Sequence, residues 1–337
     1  SIEDFYADRN YDRCIETAAE IPETSSKFTE SQELLQDCQD ALDWKNAAVE
    51  ELNENYGIVR NVVFAPKGDL FISSSEDDGI KVLELPRGEA NKTFLGDYSP
   101  IWSFDVNTNN KQKLAAATYD WRLMLWDLET QEFLYSLDHY GPVWSVALSP
   151  DGKTAVTGSG DTLVRIWDTD TGILIFNLFY HFDTVYAVAI APDGKFFATG
   201  SEDTTIKIVD LETGDLIDSL EGHTEGVRTL AISPDSTKLV SGSYDDTIKV
   251  WNLQTGKLIN TLEGHSNDVI DVDISPDGKF IASGSKDNTV KIWDLETGVL
   301  LNTLEGHTDE VYAVAFSPDG KTVASGSKDN SIKLWRK

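Results

Sequence analysis

The sequence predicts an all-β fold built from seven copies of one unit of about 42 residues, preceded by a short α-helical hairpin. Three observations predict it. Trp293 and Trp335 close equivalent strand-like stretches 42 residues apart, and Gly306-His307 follows Gly264-His265 by the same interval. Seven aspartates, Asp77, Asp120, Asp161, Asp203, Asp245, Asp287 and Asp329, each stand six residues before a strand-ending Trp, Leu or Val. The five histidines, His139, His181, His223, His265 and His307, are evenly spaced by 42 residues.

Within one unit, apolar and polar residues alternate through Val269-Ile270-Asp271-Val272-Asp273-Ile274, then through Phe280–Ser285, then through Val290–Trp293. Period-two alternation over such lengths marks half-buried strands. Ser275-Pro276-Asp277-Gly278 is a turn, since Pro276 presets one backbone angle and Gly278 tolerates a positive one. Asp287-Asn288 supplies the next turn. A strand repeat of this period ending in Trp-Asp resembles the WD40 family of β-propellers, whose blades have four strands each. The repeats look like the near-consensus, bacterial type, and the resemblance covers roughly residues 57–337. It implies a seven-bladed propeller.

In chain order, residues 1–46 come first and carry no repeat signature. Phe5, Tyr6, Tyr11, Cys14, Ile15, Ala18 and Ala19 recur at helical spacing, and so do Leu34, Leu35, Cys38, Ala41 and Leu42, with Trp44 beside them. Ile21-Pro22-Glu23-Thr24 reads as a helix end and loop. The expectation is an acidic helical hairpin that caps the propeller or ends a longer helical domain; residues 1–56 hold 15 acidic against 4 basic side chains. The last repeat stops at Trp335-Arg336-Lys337, before its outer strand. An open edge is a liability, and residues 47–55 fall in phase to supply that strand. Residues 47–337 are then the propeller. The competing reading continues the second helix through Ala47–Leu52.

The resemblance also implies a buried hydrogen-bonded set in each regular blade: His223, Ser241, Asp245 and Trp251; His265, Ser283, Asp287 and Trp293; His307, Ser325, Asp329 and Trp335. Each group is polar and costly to bury unpaired. Blades 1 and 2 carry Asn55 and Asp97 where His is expected, and blade 4 has Val209 in place of Trp. These blades should be less tightly fastened.

Composition excludes several functions. Nine Trp among 337 residues argue against disorder. A net charge of −30 disfavours nucleic-acid backbones and anionic membranes. No run of apolar residues is long enough to span a membrane, and no signal peptide opens the chain. Both cysteines, Cys14 and Cys38, precede the repeats, so the propeller needs no disulfide; a reducing compartment, the cytoplasm, is the simpler reading. No phosphate loop, nucleophile elbow or metal-ligand pair appears, and every His is assigned to a turn. Asp168-Thr169-Asp170 opens like a calcium loop, but Phe179 stands where the closing Glu belongs. The expectation is a non-enzymatic, monomeric protein with no cofactor or metal.

The binding signal lies at the entrance of the first strand of each unit. The residues flanking the first Val or Ile of that strand, and the residue before each turn Asp, point to one face. In the WD40 family these positions commonly contact partners. Here they include Arg60, Trp102, Tyr119, Trp144, Tyr186, Arg228, Tyr244 and Tyr312, with Trp121 and Phe182 nearby. Trp, Tyr and Arg are enriched at binding hot spots. The expected function is an interaction scaffold that holds a protein or peptide on this aromatic face. The alternative is a sensory or regulatory module of a longer protein, for which the absence of an initial Met leaves room.

Overall fold

The computed structural model describes residues 14–15, 28–45, 47–52, 57–65, 70–76, 79–84, 89–94, 100–107 and 113–337. Seven four-stranded antiparallel sheets form the blades of a β-propeller. One helix, α1 (Phe28–Lys45), precedes them. The first helix of the expected hairpin lies outside the described residues, apart from Cys14 and Ile15, which are helical. Asn55, Asp77 and Asp97 lie outside them too.

The helix stops at Lys45, and Ala48–Leu52 is strand β1, not more helix. It pairs antiparallel with the last strand, β28 (Ile332–Arg336), with Ala48 opposite Arg336 and Leu52 opposite Ile332. That sheet runs β1, β28, β27 (Thr322–Ser327), β26 (Val311–Phe316), so the two chain ends share blade 7. The join is also electrostatic: Lys333 pairs with Glu51 and Arg336 with Glu50, at 2.5 and 2.6 Å.

The innermost strands are β2 (Val59–Phe64), β6 (Ile101–Asn107), β10 (Val143–Leu148), β14 (Val185–Ile190), β18 (Val227–Ile232), β22 (Val269–Ile274) and β26. The buried apolar side chains of the described residues fall into seven clusters, one at each junction between neighbouring blades. This follows from the sequence. The second and third strands of each blade carry apolar or small residues on both faces, because each blade is sandwiched between two others. Phe280–Ser285 is buried at every position.

Helix α1 seats on the junction of blades 6 and 7. Cys38, Ala41 and Trp44 are fully buried there, in one cluster with Phe280, Leu301 and Phe316. Trp44 meets Phe316 edge-on at 5.8 Å, and its carbonyl accepts a 2.7 Å bond from Asn302 Nδ2. Lys279 reaches back to Asp37 at 2.7 Å. Cys14 and Cys38 are joined as a disulfide, with Cα atoms 6.2 Å apart. The sequence reading, that the propeller itself needs no disulfide, did not foresee this bond. The Cys14 segment lies against α1 at bridging distance, which spacing alone could not reveal. The ground for expecting a reducing compartment goes with it.

Candidate functional site

The fastening network comes first because it fixes the face that carries the site. In blade 6, Trp293 Nε1 donates to Ser283 Oγ at 2.8 Å, Ser283 Oγ lies 2.7 Å from His265 Nε2, and His265 Nδ1 lies 2.7 Å from Asp287 Oδ2. The bonds fit one proton arrangement: Ser283 donates to Nε2 and Nδ1–H donates to the carboxylate. Blades 5 and 7 repeat the chain through Trp251, Ser241, His223 and Asp245 and through Trp335, Ser325, His307 and Asp329. Burial pushes His265 and His307 below the usual imidazole range despite the carboxylate beside each, so both rings stay neutral. Burial also opposes ionisation of Asp287, but the bonds from His265, Thr289 and the Ser266 amide outweigh it and hold the carboxyl well below its ordinary value.

Blade 4 keeps His181, Thr199 and Asp203 without the Trp. Blade 3 departs where no departure was expected. His139 bonds Thr157 at 2.8 Å, but its Nδ1 turns to the Leu137 carbonyl. Asp161 is taken instead by the buried Arg165, 2.7 Å away. Lys81, Lys207, Lys249, Lys291 and Lys333 stand at the same place in their repeats, so the one sequence signal is that blade 3 carries Arg there instead of Lys.

The network pins the turns between second and third strands, and next to those turns lies the mouth of the central channel. In every innermost strand the pairing register slips just after the first residue, a β-bulge. The bulged residues are Arg60, Trp102, Trp144, Tyr186, Arg228, Ile270 and Tyr312. A bulge leaves one residue unpaired and re-aims its side chain. All seven line one cavity of about 160 Å³. Beside each, the amide of the residue before the turn Asp donates to the carbonyl preceding the strand, as from Tyr119 to Pro100, Glu202 to Thr184 and Tyr244 to Gly226.

The side chains form a nearly continuous arc. Ring centroids lie 5.9 Å apart for Trp102 and Tyr119, 4.7 Å for Trp102 and Trp144, 5.4 Å for Trp144 and Tyr186, and 5.7 Å for Tyr186 and Tyr244. The Arg60 guanidinium sits 4.4 Å from both Trp102 and Tyr312 and bonds Glu76 through Nε at 3.0 Å. Arg228 lies 5.9 Å from Trp144 and 5.5 Å from Tyr186, and no described carboxylate forms an ion pair with it. Tyr312 donates to Glu310 at 2.5 Å; burial and that bond push its phenol up to about 12. Burial, then Tyr244 and Glu202, raise Tyr186 as well. Both phenols are therefore donors at any ordinary pH. Trp102 Nε1 and Glu202 Oε2 are buried with no hydrogen-bond partner among the described residues.

Of the residues named beside the arc, Tyr119 and Trp121 are each 51 % exposed and Phe182 is 93 % exposed. Trp121 holds a φ of +73°, a left-handed conformation that costs a bulky residue of order 1–3 kcal/mol.

Three carboxylates below the mouth were not singled out from the sequence. Innermost strands leave backbone amides facing the channel, and side chains of the preceding blade satisfy them. Asp105 Oδ2 accepts from Leu148 N, Asp271 Oδ2 from Val314 N and Asp273 Oδ2 from Phe316 N, at 2.7, 2.9 and 2.7 Å. Burial pushes these carboxyls up to about 6, 7 and 6 respectively, against their backbone bonds. Between the unfolded value of 3.8 and these values the folded state binds more protons, so stability falls as pH rises through that window. The His-bonded aspartates act oppositely, losing stability only as pH falls below 3.8. The neutral-held His265 and His307 act the other way below 6.5, so the carboxyls are read as the share of the melting-temperature difference, pH 5 minus pH 8, that depends on one of them. Asp271→Asn, whose amide can keep the Val314 bond and donate to Thr229, should shrink the difference. An unchanged pH profile in that variant would show that Asp271 does not carry it.

The sequence model of the WDR3 first beta-propeller domain matches residues 164–337, and that of the WD domain, G-beta repeat, matches residues 131–168. Neither is the model of an enzyme family. Among similar curated proteins, COMPASS component SWD3 of Saccharomyces cerevisiae is 30 % identical over 38 % of this chain and 47 % of its own length. Eukaryotic translation initiation factor 3 subunit I of Meyerozyma guilliermondii is 30 % identical over 31 % of this chain and 30 % of its own. WD repeat-containing protein 3 of Homo sapiens is 31 % identical over 33 % of this chain and 11 % of its own. The chain thus spans less than half the length of these relatives. All three are eukaryotic, which lends no support to the bacterial-type qualifier.

Proposed function

Because the chain belongs to the WD40-repeat family of β-propellers, we propose that it is a non-enzymatic scaffold that binds a protein or peptide across the aromatic mouth. Its relatives support the class: two are named as a component and a subunit of larger assemblies. The observation that carries the reading is the arc itself. Seven bulges aim Arg60, Trp102, Trp144, Tyr186, Arg228, Ile270 and Tyr312 at one cavity, and the arc leaves two buried polar atoms unpaired. Unpaired buried groups are rare and costly, and these two lie beneath the arc rather than on its open surface. Arg228, which forms no ion pair with a described carboxylate although Asp271 lines the same cavity, is a donor for a partner carboxylate or carbonyl. Aromatic anchors held by their neighbours lose little side-chain entropy on binding, which suits an extended peptide.

Capture from native lysate tests this. The intact chain should retain a protein that a Trp102→Ala/Trp144→Ala double variant loses while staying folded. Equal recovery by both would remove the mouth as the binding surface. The matches to segments of longer proteins also favour a second reading, in which this propeller serves as a regulatory module within a larger chain.

A further inference from the structure

We propose that Arg228 clamps the carboxylate of an Asp or Glu side chain on the partner peptide; this rests on the mouth being the binding surface and names what its polar centre selects. The internal repeat supplies the template. Arg60 of blade 1 and Arg228 of blade 5 hold the same bulged position, four repeats or 168 residues apart. Glu76 and Tyr244 are matched at the same interval, and the Glu76 amide bonds the Ile58 carbonyl as the Tyr244 amide bonds that of Gly226. In blade 1, Glu76 Oε1 accepts from Arg60 Nε at 3.0 Å and also from Nη2. Blade 5 carries a phenol where blade 1 carries that carboxylate, so the second guanidinium lacks the partner that the first one has.

Arg228 is nevertheless held in place. Its guanidinium lies 5.9 Å from the Trp144 ring and 5.5 Å from that of Tyr186. Ring faces attract the cation without accepting its in-plane N–H bonds, so a fork suited to a carboxylate is positioned with its donors left over. The neighbouring cations are spent: Arg60 on Glu76, Lys286 on Asp268 at 2.7 Å and Lys328 on Glu310 at 3.2 Å. Asp271 lines the cavity but does not stand in for Glu76. Its Oδ1 takes the Thr229 hydroxyl at 3.0 Å and its Oδ2 the Val314 amide at 2.9 Å, and it forms no ion pair with Arg228. Ser145, in the same lining, accepts from the Val188 amide at 3.1 Å, and no described acceptor takes its O–H. The surrounding charge limits the ligand. Asp183 and Glu225 add to burial in raising the Glu202 carboxyl. A phosphate brings nearly two negative charges into that field and a carboxylate one, so a single unspent guanidinium selects the carboxylate.

The test selects short random peptides, displayed with no free C-terminus, on three forms of the full chain: unaltered, Arg228→Met and Trp144→Ala. Peptides enriched on the unaltered chain should share an Asp or Glu, and those enriched on Arg228→Met should not. In an end-blocked synthetic copy of the leading peptide, changing that acid to its amide should weaken binding to the unaltered chain at least about tenfold and binding to Arg228→Met less than about twofold. Binding of the amide peptide by Arg228→Met also shows that this variant is folded, and the loss on the unaltered chain needs no variant to be read. Phosphoserine in place of the acid should bind no better. Enrichment without a shared acid, an equal loss in both forms, or tighter binding of phosphoserine overturns the clamp and leaves the mouth as the binding surface. Undiminished affinity of the same peptides for Trp144→Ala, or no enrichment on the unaltered chain, removes the mouth and the clamp together.

Discussion

Asp287→Ala should lower the stability of the protein by about 3 kcal/mol. The carboxylate takes three kinds of donor at once: His265 Nδ1 at 2.7 Å, the Ser266 amide at 3.1 Å and the Thr289 amide and hydroxyl at 3.0 and 2.6 Å. Removing one partner from a buried polar pair costs about 1–3 kcal/mol, because the stranded donor is not resolvated. Here His265 is stranded inside the blade, and through Ser283 the Trp293 bond loses its anchor. Urea unfolding measures the change. Asp161→Ala in blade 3 is the comparison, since its His139 bonds Leu137 and would lose nothing; there the cost comes from Arg165, a buried guanidinium left without its carboxylate. If Asp287→Ala unfolds at the same urea concentration as the unaltered chain, the network does not fasten the blade.

A chain shortened to begin at Gly57 should lose more. It lacks β1, so β28 is left with an open edge of main-chain donors and acceptors, a template for pairing with another chain. It also lacks α1, exposing the apolar seat of Trp44; one such side chain is worth about 1.5–3 kcal/mol of burial. Melting temperature should drop, and light scattering should show association. A second variant beginning at Ala47 separates the two contributions, since it loses α1 but keeps the closing strand. It should melt at an intermediate temperature and stay monomeric. Equal melting and monomeric behaviour of the Gly57 variant would mean that the ring does not depend on closure by Ala48–Leu52.

What was legible in the sequence was what repeats. Turn aspartates, histidines and strand-ending tryptophans recur in phase, because each blade solves the same burial problem with the same side chains, and their number gave a seven-bladed ring. The faces of the strands followed from alternation. Less legible was anything set by the neighbour of a blade. Asp105, Asp271 and Asp273 read as polar residues on a strand; their partners are amides of the next blade, some 43 residues away. The bulges that aim Trp102, Trp144 and Tyr186 are backbone events with no residue signature of their own, although the aromatic residues at those positions marked the face. Arg165 capturing Asp161 is a competition between two donors for one carboxylate. Pattern lists both donors, but only geometry ranks them. The Cys14–Cys38 bond depends on how two helical segments pack, which two cysteines in isolation do not encode.

The central claim is that the bulged aromatic residues at the channel mouth are the binding surface. Its most direct measurement is calorimetric affinity of a captured partner for three forms of the chain: unaltered, Trp144→Ala, and Gln254→Ala at the exposed turn on the opposite face. Trp144 packs against Trp102, Tyr186 and Arg228, so its loss should weaken binding by about 2 kcal/mol or more, an ordinary hot-spot effect. Gln254→Ala should bind like the unaltered chain. Equal affinities for all three forms, with Trp144→Ala fully folded, would contradict the account and move the partner off this face.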